Sequence, residues 1–239
     1  MSQYIKNYNA ADFTDNFIKS NDWDIIELNV QLDPVQLTEY INQVKTTLAH
    51  LYFDFTYKDY LRPDVYERFI KENKVFNYVG NIGGWTVSWP ADRDIPCPGQ
   101  HQALPEKYPE LENCNFYYDA TIMSCYNFGY LKTIREHLTD ASLRQMLLSK
   151  HHPGLDVLKH VDGPRKKLHI PFETNPDVVF AFGDDLERSY HMELGKIYMI
   201  NPTVPHGTSN GGNTDRIHLL TRVDFDYMPT LFSMTGVLT

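Results

Sequence analysis

Two histidines and one carboxylate on one face of an octahedral ion leave three positions open, the ligand set of non-haem Fe(II) oxygenases. The segment His160-Val161-Asp162 offers two such ligands. On a strand, residues two apart point to the same side, so both side chains would reach one ion while Val161 turns away. Alone the pattern carries no weight, because ten histidines and twenty aspartates in 239 residues give about one His-x-Asp by chance. His191-Met192-Glu193 is a decoy of the same kind. Residues C-terminal to the pair add the weight. His206 sits between Pro205, which rigidifies its approach, and Gly207, which permits a tight exit. Arg216 lies ten residues further, past an Asn-Gly-Gly-Asn turn, and a hairpin there would fold it back beside His206. A guanidinium in that place grips one end of a dicarboxylate through a bidentate, charge-assisted pair. Lys167 and His169 precede a further strand and are candidates for the keto-acid end of the same molecule.

These residues must be positioned by a β-rich C-terminal part. From about 141 onward, turn residues punctuate the chain every 8–15 residues, among them Gly163-Pro164, Asn175-Pro176, Gly183-Asp184 and Asn201-Pro202. Between them lie short β-rich runs from Leu168 to Phe172, Val178 to Phe182, Lys196 to Ile200 and Ile217 to Val223. Short, evenly spaced strands of this kind predict a sandwich or barrel. The first third predicts helices. Asp33-Pro34 is a cap followed by a residue preset for the first turn, and Leu37, Ile41, Val44, Leu48 and Leu51 then form one apolar face. Further helices are expected at about 63–72 and 128–138. Trp85 to Trp89 alternates large apolar with hydroxyl residues, the period of a half-buried strand. Five prolines between 90 and 113 exclude regular structure there and leave a long loop, either a lid over a site or a solvated connector. The composition shift near 140 reads as a division within one domain, 1–239, with helices packed outside a β core.

Composition narrows the function. A net charge of −9 argues against a general nucleic-acid partner. No run of 18 apolar residues predicts a membrane span, and the N-terminal segment has no basic stretch followed by an apolar one. Cys97, Cys114 and Cys125 are odd in number and lack CxxC spacing, so neither a disulfide framework nor a zinc ribbon is expected, and a cytoplasmic setting is the default. They read as unreactive small side chains, and Phe116-Tyr117-Tyr118 with Tyr126 as strand packing. Trp85 and Trp89 are expected in the core, and Asn210 and Asp215 in turn formation. His151, His152, His101 and Arg165 are minor candidates for ligand contact. His218 shares strand parity with Arg216 and is a candidate for the same cavity.

The ordered set His160-x-Asp162, Lys167-Leu168-His169-Ile170-Pro171, Pro205-His206, Asn210 and Asp215-Arg216-Ile217-His218-Leu219 resembles the aspartyl/asparaginyl β-hydroxylase-like group of 2-oxoglutarate oxygenases, which includes bacterial cis-proline hydroxylases. The resemblance covers about residues 140–225; residues 1–139 match only loosely, as a variable, substrate-shaping part. It implies a mainly β fold with flanking helices around a double-stranded β-helix of cupin, or jelly-roll-like, type. It implies His160, Asp162 and His206 as catalytic iron ligands, Arg216 on the distal carboxylate of 2-oxoglutarate and His169 on its other end. The group usually has arginine where this chain has Lys167, which keeps the charge but loses the fork. Retention of Asp162 points to hydroxylation, since relatives that halogenate have a small residue there. The implied cofactors are Fe(II), 2-oxoglutarate and dioxygen, and the implied partner is an amino-acid or peptide substrate whose unactivated C–H bond is hydroxylated. Two other readings fit a barrel: a cupin-type metal-dependent hydrolase or isomerase, which leaves Arg216 unexplained, and a non-catalytic binding module, against which the intact His/Asp/His set weighs.

Overall fold

The computed structural model describes residues 3–6, 8–72, 74–75, 78–138 and 143–239. Ten strands build the core: β1 (Ile25–Leu32), β2 (Ile82–Thr86), β3 (Leu143–His151), β4 (Asp156–His160), β5 (Lys167–Glu173), β6 (Val178–Phe182), β7 (Arg188–Tyr190), β8 (Lys196–Ile200), β9 (His206–Asn210) and β10 (Arg216–Val223). One sheet runs β1-β8-β5-β10-β3-β2, extended at its edges by short strands. The other runs β7-β6-β9-β4, followed by Tyr78–Val79 and Lys74–Val75. From β3 onward the chain crosses between the sheets at almost every connection, and nearly all pairings are antiparallel. That alternation is a double-stranded β-helix, with helices on the outer face of the larger sheet.

Strand parity sorts the side chains. On β5, β8 and β10, Leu168, Ile170, Phe172, Ile197, Met199, Ile217 and Leu219 join one hydrophobic cluster with helix residues. The helices there are α1 (Pro34–Thr47) and α3 (Gly129–His137), which contribute Leu37, Ile41, Val44, Leu131 and Ile134; α2 (Pro63–Glu72) lies between them in the chain. Burying each such side chain stabilises by roughly 1.5–3 kcal/mol. The opposite parity faces the second sheet, where Tyr198 and Ile200 pack with Phe180, Phe182 and Val204 in a smaller cluster. On this inner face the lumen turns from apolar to polar, with His169, His206, Arg216 and His218 all buried.

The N-cap at Asp33 forms as expected: its carboxylate accepts from the Val35 amide at 2.8 Å, and Pro34 opens α1. The apolar face is shorter than its spacing predicts. The helix ends at Thr47, and Leu51 lies in a separate 3₁₀ turn, Ala49–Leu51. The helices α2 and α3 match the other two expectations. Trp85 to Trp89 is not one half-buried strand. It breaks at Val87 into β2 and Ser88–Trp89, which belong to different sheets, and both faces are covered. Trp85 donates to the Leu48 carbonyl at 3.0 Å and Trp89 to Glu110 at 2.6 Å, so both serve the core. Phe116 to Tyr118 lies in a short helix, Phe116–Asp119, rather than a strand, and its Asn115 cap accepts from Tyr117 at 3.2 Å. The composition shift near 140 falls outside the described residues. No helix of the described residues is long and apolar enough to cross a membrane.

Candidate metal centre

His160 closes β4 and His206 opens β9, and the two are cross-strand partners with ring centroids 4.3 Å apart. Each ring is held by its own strand end. His160 Nδ1 lies 2.8 Å from the Leu158 carbonyl oxygen and His206 Nδ1 2.9 Å from that of Val204. A neutral imidazole that donates from Nδ1 keeps its lone pair on Nε2, the arrangement that orients a metal-binding histidine. Each Nε2 is 3.8 Å from Asp162 Oδ2. Two ligand atoms at roughly 2.1 Å from an ion span at most about 4.2 Å, so both separations fit a shared ion. Among the described residues, His160, Asp162 and His206 form the one cluster with this geometry. His191 lies outside it, with Nδ1 3.0 Å from the Val178 carbonyl.

Asp162 reaches the centre by a different route from the one its spacing suggests. It lies beyond the end of β4, not on it. Its amide donates to the Pro202 carbonyl at 2.9 Å, which ties it to the turn before β9. That turn is built around buried Asn201, whose amide group donates to the Ser20 and Trp23 carbonyls at 2.9 and 3.1 Å. Gly207 serves close packing inside β9: a Cβ there would lie 2.7 Å from the Val157 carbonyl oxygen, so only glycine lets β9 and β4 bring their histidines together.

Lys167 donates to Asp162 Oδ2. Burial raises the Asp162 carboxyl, but the charge and hydrogen bond of Lys167, together with the two imidazoles, outweigh it and hold the group below its ordinary value. Burial pushes His206 down to about 4. These two groups are therefore held in the forms a divalent ion requires.

Arg216 does not fold back beside His206 in a hairpin. β9 pairs with β6 and β4, whereas β10 pairs with β5 and β3 in the other sheet. Arg216 instead projects into the lumen, 1% exposed, within a nest of three buried histidines. Its guanidinium lies 3.1 Å from His151 Nε2 and 2.8 Å from His218 Nδ1, and 5.0 Å over the Phe180 ring. Those two nitrogens accept, so the ring protons sit on His151 Nδ1 and His218 Nε2. Both of these atoms, and both ring nitrogens of His169, are buried without a hydrogen-bond partner among the described residues. Orphaned buried donors beside a guanidinium match the carboxylate of a dicarboxylate in chemistry and charge. His151 belongs to this nest although its sequence context gives little sign of it; it is the register partner of Arg216 across β3 and β10. His152 lies outside the nest, 3.0 Å from Asp215.

Burial, and next the charge of Arg216, pushes the His151, His169 and His218 imidazoles well below their ordinary value. Below about pH 6.5 an unfolded chain protonates these rings and His206, while the folded chain does not. Their contribution to stability is complete above pH 6.5 and is lost as pH falls toward their folded values. The slope is up to about 1.4 kcal/mol per pH unit for each ring. The urea midpoint of the metal-free protein should accordingly be flat above pH 7 and drop steeply between pH 6.5 and 5. A midpoint that stays constant over that window would show that the rings are not buried neutral.

A cavity of about 500 Å³ opens beside the cluster. His160, Asp162, Lys167 and Arg222 line it, with Ser149, Gln145 and Phe116 on its walls. Residues 99–102 of the proline-rich loop form part of it, so this loop covers the site rather than only connecting elements. Gln145 sits at a β-bulge where β3 slips against β10, with φ at +52°. Such a conformation costs a non-glycine residue about 1 kcal/mol or more and is characteristic of functional walls. Arg216 and its histidines are not among the lining residues. Arg165 stacks over the Tyr117 ring at 3.6 Å and is not among the residues lining this cavity. Asn210 serves the turn, donating to the His151 and Thr214 carbonyls at 3.0 and 2.9 Å. The three cysteines are free, and burial pushes the Cys97 thiol up to about 12.

Residues 123–225 match the family model described as aspartyl/asparaginyl beta-hydroxylase. No curated protein matches the chain. Among solved structures, an oxidoreductase of the 2OG-Fe(II) oxygenase family from Burkholderia pseudomallei is similar over 100% of this chain and 98% of its own, at 9% identity and a TM-score of 0.49. A double-stranded β-helix protein from Klebsiella pneumoniae is 19% identical, with a TM-score of 0.29, over 33% of this chain and 65% of its own, just under two thirds of its length. A cupin domain from Bordetella pertussis is 15% identical, with a TM-score of 0.29, over 34% of this chain and 80% of its own.

Proposed function

We propose, on the premise that residues 123–225 match the aspartyl/asparaginyl beta-hydroxylase family, that the protein is an Fe(II)- and 2-oxoglutarate-dependent dioxygenase. It hydroxylates an unactivated C–H bond of an amino-acid or peptide side chain. Two features carry most of the weight: the ligand atoms of His160, Asp162 and His206 converge on one point, and in the same lumen a buried guanidinium has histidine neighbours with unfilled hydrogen-bonding positions. A metal-dependent hydrolase would use the first feature and leave the second without purpose.

His160, Asp162 and His206 would hold the ion, with the Leu158 and Val204 carbonyls fixing the imidazoles. Lys167 would orient the Asp162 carboxylate. Bound iron, with 2-oxoglutarate and dioxygen, supplies the oxidation: decarboxylation of the keto acid to succinate and carbon dioxide is coupled to insertion of one oxygen atom into the C–H bond. Arg216 would bind the distal carboxylate and His169 would assist the other end. The strand β6 measures the interval between these parts. Phe180 packs against Arg216 and His169, and Phe182 stacks on His206 with centroids 5.7 Å apart. Two residues of strand span about 7 Å, within reach of a five-carbon dicarboxylate. The walls from Phe116 and residues 99–102 would exclude water from the reacting centre.

The test is a succinate-formation screen over amino acids and short peptides with Fe(II), 2-oxoglutarate and air, with mass detection of a product heavier by one oxygen. Iron-dependent succinate formation stimulated by at least one compound is expected. Metal-loaded protein that neither binds nor consumes 2-oxoglutarate would end this reading.

A further inference from the structure

Arg222 lines the cavity beside the candidate centre and is not among the residues assigned above to the ion or to 2-oxoglutarate. It stands in the middle of a row of three cations across the larger sheet. Lys167 is its cross-strand partner on β5 and Arg144 its partner on β3. Like charges directly opposite one another destabilise a sheet unless anions offset them. The outer two have their anions: Lys167 pairs with Asp162, and Arg144 lies 3.3 Å from Asp224. The Arg222 guanidinium makes no hydrogen bond or ion pair with a described residue. It is half-buried, and burial works against its charge. It nevertheless opens on the cavity of about 500 Å³ that also contains His160 and Asp162.

The cavity's charge balance points the same way. Among its described lining residues Asp162 is the sole carboxylate, already engaged by Lys167, while Lys167 and Arg222 are both cations. In a chain of net charge −9, this wall is locally positive. Gln145, turned by its bulge, adds an amide on the strand next to Arg222. Cavities of this size are those that hold small molecules.

Resting on the oxygenase reading of the site, we propose that Arg222 anchors a free carboxylate of the substrate. The substrate is then a small acid of the amino-acid class, not an internal residue of a protein chain. The guanidinium donates to the carboxylate as a bidentate pair and thereby sets which carbon of the substrate faces the ion.

The experiment is anaerobic calorimetric titration of the Fe(II)- and 2-oxoglutarate-loaded protein with the twenty common L-amino acids and their primary amides. At least one acid should bind at least tenfold more tightly than its amide. Arg222→Gln should weaken that acid roughly ten- to a hundredfold, the range of a lost charge-assisted hydrogen bond, and leave the amide unchanged. Arg222→Lys should recover part of the loss. If no acid binds better than its amide, or if Arg222→Gln weakens 2-oxoglutarate instead, the proposal is overturned. The absence of an acid–amide preference in the wild type overturns the proposal even if a variant fails to fold. Consumption of 2-oxoglutarate by the wild type without substrate reports separately on the oxygenase reading, so either can fail while the other stands.

Discussion

His206→Ala should abolish iron binding and 2-oxoglutarate turnover while the protein stays folded. Loss of an outer partner of a metal ligand already costs 10–100-fold in affinity, so loss of a ligand should exceed about a hundredfold. The fold should tolerate the change because the β9 ladder does not use this side chain. Gly207 and the β6 and β4 registers, which set the approach of the strands, remain. Removal of a buried ring leaves a small cavity next to Phe182, and a thermal midpoint lowered by several degrees is compatible with this role. His191→Ala is the matched control. That residue belongs to the other His-x-acid segment of the sequence and lies outside the cluster, so iron content should stay at the wild-type level. Equilibrium dialysis under anaerobic conditions reads both variants. Equal iron loss in the two, or none in His206→Ala, would remove the candidate centre.

Arg216→Ala separates co-substrate binding from metal binding. Truncating one partner of a buried, hydrogen-bonded charge pair costs about 2–5 kcal/mol, which places the expected rise in the KM for 2-oxoglutarate at roughly thirtyfold or more. Iron affinity should change less than about threefold, because neither the Nδ1 anchors nor Asp162 depends on Arg216. Arg216→Lys should recover little. A lysine cannot reproduce the fork that meets His151 and His218 together. Arg216→Ala, which removes the charge, should also ease the acid sensitivity of the nest, since the charge of Arg216 is the second cause that holds the three imidazoles down. Parallel loss of iron and 2-oxoglutarate would count against the separate assignment.

The sequence made some of this legible and hid the rest for identifiable reasons. Val178–Phe182 and Lys196–Ile200 coincide with strands to the residue, because each is a short apolar run between turn residues and both signals are local. β1 carries an equally plain signal, Ile26, Leu28, Val30 and Leu32 alternating with Glu27, Asn29 and Gln31, but it stands in a part of the chain where helices dominate. Convergence of the His160 and Asp162 side chains follows the spacing argument in outcome and departs from it in cause. Asp162 arrives from beyond a strand end, held by a backbone bond to Pro202 that no local pattern announces. The turn at Asn210 to Asn213 is real, yet a turn does not say which sheet the next strand joins. In a double-stranded β-helix it joins the opposite one, which is why Arg216 lies in a histidine nest and not in a hairpin with His206. His151 enters that nest through a pairing 65 residues away in sequence, a non-local fact. Arg222 had a readable signal: it shares strand parity with Arg216 and His218, and the same alternation that brings His218 to the lumen brings Arg222 to the cavity.

A sequential anaerobic calorimetric titration of wild-type protein, Fe(II) first and 2-oxoglutarate second, asks whether ion and co-substrate share one centre. One iron per chain should bind, then one 2-oxoglutarate whose affinity falls at least tenfold when the metal is withheld, because its keto-acid end then has no ion to bind. Binding of 2-oxoglutarate with equal affinity to metal-free and iron-loaded protein would contradict a shared centre formed by His160, Asp162, His206 and Arg216.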